Sequence, residues 1–172
     1  MNTPNKLTIL RVALVPLICL LIALDRFPWA AAFFALAALT DFLDGYLARR
    51  NGQITVFGKF LDPVADKLLV LTAMIMLTGK GIIPGWAVAV VAARELAVDG
   101  LRLVASGSGK VVAAKMPGKI KTVLQLFCVL SALVLRSHIA TAVLTAAMAV
   151  MTVVSGAVYF KELGGEVLKE KQ

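Results

Sequence analysis

TDFLDGYLARRNGQITVFGKFLDPVADK, residues Thr40 to Lys67, sets four aspartates inside a chain that is otherwise apolar enough to live in a membrane. An ionised carboxylate in or near hydrocarbon loses its water. Intramembrane acids therefore face a bundle interior or a polar cavity, and they mark function. Asp41, Asp44, Gly45 and Ala48 recur at helical three and four steps, and Gly58, Asp62 and Asp66 repeat the pattern on the next segment. Between the two sets, Asn51-Gly52 with its flanking arginines reads as a turn on the water side. Two antiparallel helices follow. At roughly 1.5 Å of rise per residue, Asp44 and Asp62 lie within about 10 Å of one level. Four carboxylates then converge near a membrane surface.

Like charges held that close raise one another's pKa, and hard divalent cations relieve the repulsion. Aspartate oxygens without histidine or cysteine nearby suit Mg²⁺ or Mn²⁺, and oxygen donors also accept Zn²⁺. Two ions bridged by shared carboxylates are suited to hold a pyrophosphate and stabilise an in-line displacement. The glycine and alanine on the acid face let a bulky ligand approach the backbone.

The rest of the chain supports a polytopic membrane protein. It has 172 residues, 60% of them hydrophobic, and a mean hydropathy of +0.89, too apolar for an ordinary soluble domain. We expect an all-α bundle of six transmembrane helices forming one domain over residues 1–172. The spans run roughly over Leu7 to Leu24, Trp29 to Arg49, Gly58 to Thr78, Ile82 to Val104, Ile120 to Leu135 and Ile139 to Phe160, the short fifth one extended by Pro117-Gly118-Lys119. An even number places both termini on one side. Arg26, Lys80 and Arg136 alone fall near the opposite turns, so the side holding the other basic residues is cytoplasmic. The basic start and first apolar run lack a small-residue cleavage site and read as an uncleaved span.

The net charge of +8 is split between hydrophobic segments, a distribution that argues against nucleic acid. Cys19 and Cys128 sit in apolar runs and read as buried small hydrophobes. Pro16 is a candidate kink in the first span. Asn5, Thr8 and Arg11 align polar side chains on successive turns, and Arg11 either snorkels to lipid phosphates or lines the polar cavity. In the fourth span, Arg94 and Arg102 share one face while Glu95 and Asp99 share a neighbouring one. Either they form a structural network, or Arg94 and Arg102 join Lys119 and Lys121 in gathering an anion beside the acids. The Gly-Ser-Gly-Lys of the following basic connection lacks the phosphate-loop spacing and a preceding strand, and suits anionic headgroups better. His138 falls at an external turn, and the KELGGEVLKEKQ tail is polar and expected to fray.

The run Asp41-x-x-Asp44-Gly45-x-x-Ala48-Arg49, eight residues, Gly58-x-x-x-Asp62-x-x-x-Asp66 resembles the CDP-alcohol phosphotransferase signature at every defined position. The resemblance implies two metals held by Asp41, Asp44, Asp62 and Asp66, with Asp66 as general base. It implies nucleotide binding by Asn5, Thr8, Asp44, Gly45, Ala48, Arg49 and Gly58. The tracts PNKLTILRV, GKFLDPVADKLLV, AREL with GLR, and GKIKT are similar to bacterial members that use CDP-diacylglycerol and glycerol 3-phosphate and release CMP. Lys59, Arg94, Arg102, Lys119 and Lys121 are then candidates for the acceptor phosphate. Homodimers are common in the family, so one is expected. Competing readings are transfer to another acceptor, as in cardiolipin or phosphatidylinositol phosphate synthesis, an ion-coupled transporter, or a noncatalytic scaffold. The transporter reading is weakened because the acids sit at cytoplasmic depth and no second acidic cluster completes a path.

Overall fold

In the computed structural model the backbone is described for residues 3–51, 56–107, 116–135 and 137–169, and the side chains for residues 8–40, 63–105, 116–135 and 137–161. Among the described residues six helices follow in order: α1 (Thr3–Ala23), α2 (Phe27–Asn51), α3 (Val56–Gly79), α4 (Gly85–Gly107), α5 (Met116–Val134) and α6 (His138–Lys169). No strand occurs among the described residues. The helices are at least 19 residues long, which at 1.5 Å per residue makes each about 30 Å or more. Pro16 lies inside α1 without interrupting it. α2 ends at Asn51 and α3 begins at Val56; the rest of the expected Asn51-Gly52 turn falls on residues 52–55, outside the described residues.

Two ends of the bundle differ in chemistry. At one end α1 and α3 stop in the same way. Arg26 N donates to Leu21 O (2.8 Å) and Asp25 N to Ile22 O (3.1 Å), while Ile82 N donates to Leu77 O and Gly81 N to Thr78 O, both at 2.9 Å. Each pair closes the last turn around a left-handed residue, Asp25 at φ 58° and Gly81 at φ 69°. Lys80 Nζ then joins the two ends, reaching Asp25 Oδ1 at 2.7 Å and Ala23 O at 2.9 Å. Against this end sits the apolar core, with Ile18, Ile22, Phe34, Met74, Leu77 and Leu133 all but sealed from solvent. The opposite end is polar inside.

Burial runs against the habit of water-soluble proteins. Arg11, Glu95, Lys121 and Gln125 are buried, while Leu20, Leu96, Leu103, Phe127, Ile139 and Val143 are exposed. An apolar exterior around a polar interior is what a lipid solvent favours. By length and composition, Met116–Val134 and His138–Lys161 suffice to cross a membrane, and Thr8–Ala23 and Phe27–Thr40 are shorter apolar stretches. Arg94, Glu95, Asp99 and Arg102 lower the apolarity of α4, and all four turn inward onto one cavity.

The fifth helix begins at Met116, in line with the expected extension through Pro117-Gly118-Lys119, and Lys119 and Lys121 lie in its first turns. The chain departs from its sequence reading at the tail. The tail expected to fray is helical to Lys169. Glu, Leu and Lys are good helix formers, and extending an existing helix adds one hydrogen bond per residue fixed.

Candidate active site

At the polar end, a cavity of about 310 Å³ opens between α3, α4, α5 and α6. Its described lining includes three acids, Asp66, Glu95 and Asp99, and five cations, Lys67, Arg94, Arg102, Lys119 and Lys121. The excess is positive, which suits an anionic ligand. Its size is at the lower end for small-molecule sites.

Asp66 faces this cavity from α3, with its side chain 41% exposed. Arg11 Nη1 donates to its Oδ1 at 2.9 Å, and Arg11 Nε donates to Ala37 O at 3.4 Å. Arg11 is sealed from solvent, so it does not snorkel. A guanidinium is tolerated there because it is paired and hydrogen-bonded, and its contacts tie α1 to α2 and α3.

Glu95 organises the other side. Its Oε1 accepts from Lys121 Nζ, and its Oε2 from Arg94 Nη1 at 3.4 Å. Lys121 and Glu95 are both buried, and they bridge α5 to α4. Lys67 pairs with Asp99, linking α3 to α4. The structural network and the gathered cations weighed in the sequence are thus one assembly: the acids fix lysines from neighbouring helices, and the cations still front the cavity.

The arginines of α4 find their partners on α6. Arg94 Nη2 donates to Ser155 Oγ at 2.5 Å, and Arg102 Nη2 donates to Tyr159 Oη at 2.7 Å. The Tyr159 ring lies 5.3 Å from the Arg94 guanidinium carbon and 4.9 Å from that of Arg102. Both arginines keep a buried Nε–H without an acceptor among the described residues, a state costing about 1–3 kcal/mol per group in a ligand-free interior.

Of the expected site residues, Asp66, Arg94, Arg102, Lys119 and Lys121 meet at this cavity. Thr8 is buried and is not part of its described lining. Asn5 lies on α1, Asp41, Asp44, Gly45, Ala48 and Arg49 on α2, and Gly58, Lys59 and Asp62 on α3, all outside the described side chains. No group of three or more His, Cys, Asp or Glu placed so that it could hold a metal ion occurs among the described residues. The oxygen donor of Asp66, open to the cavity, has the chemistry a hard divalent ion takes. Sequence reasoning missed Tyr159, whose one signal was its place on the helix face carrying Ser155 and Gly156.

A family model described as CDP-alcohol phosphatidyltransferase matches residues 1–155. The chain is 47% identical over 152 residues to a CDP-diacylglycerol--glycerol-3-phosphate 3-phosphatidyltransferase of Bacillus subtilis, covering 79% of this chain and 78% of that one. A protein of the same name from Rickettsia bellii is 40% identical over 172 residues, with 93% and 94% covered. A probable phosphatidylglycerophosphate synthase of Mycobacterium tuberculosis is 38% identical over 179 aligned positions, with 95% and 84% covered.

Proposed function

The chain belongs to the CDP-alcohol phosphatidyltransferase family, and from that premise we infer that it transfers the phosphatidyl group of CDP-diacylglycerol to sn-glycerol 3-phosphate, giving phosphatidylglycerophosphate and CMP. The names of its relatives support this reaction in phospholipid synthesis. Among structural observations, the one that carries it is a single cavity uniting Asp66 with Arg94, Arg102, Lys119 and Lys121. A carboxylate able to take a proton thus stands beside cations able to hold a phosphate.

In the mechanism we propose, those four cations, with Lys59, bind the phosphate of the acceptor. A primary hydroxyl of the acceptor attacks the β-phosphorus of CDP-diacylglycerol, the bond to the CMP oxygen breaks, and Asp66 accepts the hydroxyl proton. Arg11 holds the Asp66 carboxylate toward the cavity. Asn5, Thr8, Asp44, Gly45, Ala48, Arg49 and Gly58 receive the nucleotide. Asp41, Asp44, Asp62 and Asp66 would hold two divalent ions, Mg²⁺ or Mn²⁺ by donor type, with Zn²⁺ also compatible. When bound, such ions neutralise pyrophosphate charge and acidify the attacking alcohol. Holding both reactants in one place supplies much of the rate.

The same reading takes residues 1–172 as one integral-membrane unit of six spans, with termini and cavity facing the cytoplasm of the cell membrane and the acyl chains of the donor in surrounding lipid. It also takes the working form as a homodimer, as is common in the family.

Purified enzyme supplied with CDP-diacylglycerol and a mixture of glycerol 3-phosphate, inositol phosphate and phosphatidylglycerol tests the assignment. CMP release with phosphatidylglycerophosphate as the dominant product is expected, abolished by EDTA and restored by Mg²⁺ or Mn²⁺. A different dominant lipid would overturn the acceptor, and EDTA-insensitive turnover the metal requirement.

A further inference from the structure

Arg94 and Arg102 are two helical turns apart on α4, so their backbones are separated by about 12 Å. Their guanidinium carbons nevertheless lie 5.3 Å and 4.9 Å from the centre of one aromatic ring, that of Tyr159. Two like charges converge there against their mutual repulsion. The negative faces of the ring attract both, and the hydroxyl accepts a 2.7 Å hydrogen bond from Arg102.

The seat is built from neighbouring positions of α6. Ser155 accepts from Arg94, and a Cβ at Gly156 would stand 3.3 Å from Arg94 Cγ, so the arginine stem passes where a side chain is missing. A Cβ at Gly118 on α5 would lie 3.6 Å from the Tyr159 ring and 3.7 Å from Arg94 Nη2. Tyr159 itself is 1% exposed, so its ring is fixed by packing. The buried Nε–H groups of both arginines have no acceptor among the described residues, which points to an anion as the group the pair is arranged to meet.

We propose that Tyr159 is a positioning residue that holds Arg94 and Arg102 as a preformed two-guanidinium clamp for the phosphomonoester of the acceptor. The inference rests on the acceptor-phosphate reading above and extends it to Tyr159 on α6, which lies past residue 155, where the segment matched by the family model ends. Tyr159 acts through the arginines. It lowers the ordering cost that two long, mutually repelling side chains otherwise meet when the phosphate binds.

Initial rates against glycerol 3-phosphate and against CDP-diacylglycerol, with inorganic phosphate as a competing probe, test this on Tyr159→Phe, Tyr159→Leu, Gly156→Ala and Arg94→Ala. Tyr159→Phe keeps the ring and loses the hydroxyl. It is expected to raise KM for glycerol 3-phosphate and the phosphate inhibition constant together by about tenfold, as for loss of a hydrogen bond to a charged group. The change falls on KM for the acceptor, leaving KM for CDP-diacylglycerol near wild type. Tyr159→Leu raises both further, and Gly156→Ala, which crowds the Arg94 stem without touching Tyr159 chemistry, raises them in the same direction. If Arg94→Ala weakens acceptor and phosphate binding while the Tyr159 and Gly156 variants do not, the clamp is wrong and the acceptor site stands. If Arg94→Ala leaves both constants unchanged, the acceptor site is wrong and the clamp falls with it. Loss of kcat and thermal stability in Tyr159→Phe and Gly156→Ala without a selective rise in acceptor KM assigns Tyr159 to packing and overturns the proposal.

Discussion

Asp66 shows how one side chain reconciles folding with chemistry. Its carboxylate answers a fully buried guanidinium, since Arg11 Nη1 lies 2.9 Å from Oδ1, and removing the partner of a buried charge is costly. The same carboxylate must stay open enough to meet a hydroxyl proton, and its side chain is 41% exposed. These two demands separate under substitution. Asp66→Asn keeps an oxygen at the position Arg11 requires and loses the charge and basicity. We expect turnover to fall by a factor of about 10² to 10⁴, the usual weight of a general base, while the melting temperature in detergent falls less than in Asp66→Ala, because Arg11 loses its counter-charge and keeps its acceptor. Asp66→Ala loses the acceptor as well and should lower both, so matched thermal melts and CMP-release assays separate the roles. Sequence alone left Arg11 between lipid and cavity because both environments accept a guanidinium. The partner that rules out the lipid is 55 positions away.

At the scale of helices, α1 and α3 end in the same closure with different residues at the left-handed position. Gly81 adopts φ 69° without a Cβ penalty, and a methyl group there would meet nothing within 4 Å. Gly81→Ala therefore tests backbone strain alone and should destabilise by about 1 kcal/mol. Asp25 sits at φ 58° with that penalty, offset in part by an exposed ion pair to Lys80 of the kind that contributes about 0–1 kcal/mol. Asp25→Gly should leave the melting temperature within a degree or two of wild type or raise it, whereas Gly81→Ala lowers it. The six helices were legible because each apolar run is near a membrane's thickness and the turns carry charge, glycine or proline. The α6 seat was not: Ser155, Gly156 and Tyr159 are ordinary residues for an apolar helix, and their meaning depends on arginines that α4 brings alongside. The Asp66 cavity was legible in part, since helical spacing aligned the cations but did not reveal that Glu95 and Asp99 would bind the lysines.

Across the whole molecule, polarity is sorted by end and by depth. The cavity, Arg11 and the ion pairs of Glu95 and Asp99 occupy one end. The other holds the Lys80–Asp25 link, with exposed Trp29 and Trp86 near the first turns of α2 and α4. Tryptophans at one level and an apolar surface between the two ends are what a bilayer interface and its hydrocarbon select. The six crossings proposed above would put residues 138 and 161, at opposite ends of the described side chains of α6, on opposite sides of the membrane. His138 and Lys161 are both exposed, so each accepts a cysteine without disturbing the interior. Cys128 is buried and Cys19 half-buried, so replacing both with alanine or serine gives a quiet background. In intact cells a membrane-impermeant maleimide should label His138→Cys and spare Lys161→Cys until the membrane is permeabilised. The reverse pattern would turn the active site outward, away from cytosolic glycerol 3-phosphate and CMP. Labelling of both positions in intact cells would mean that α6 does not span the bilayer.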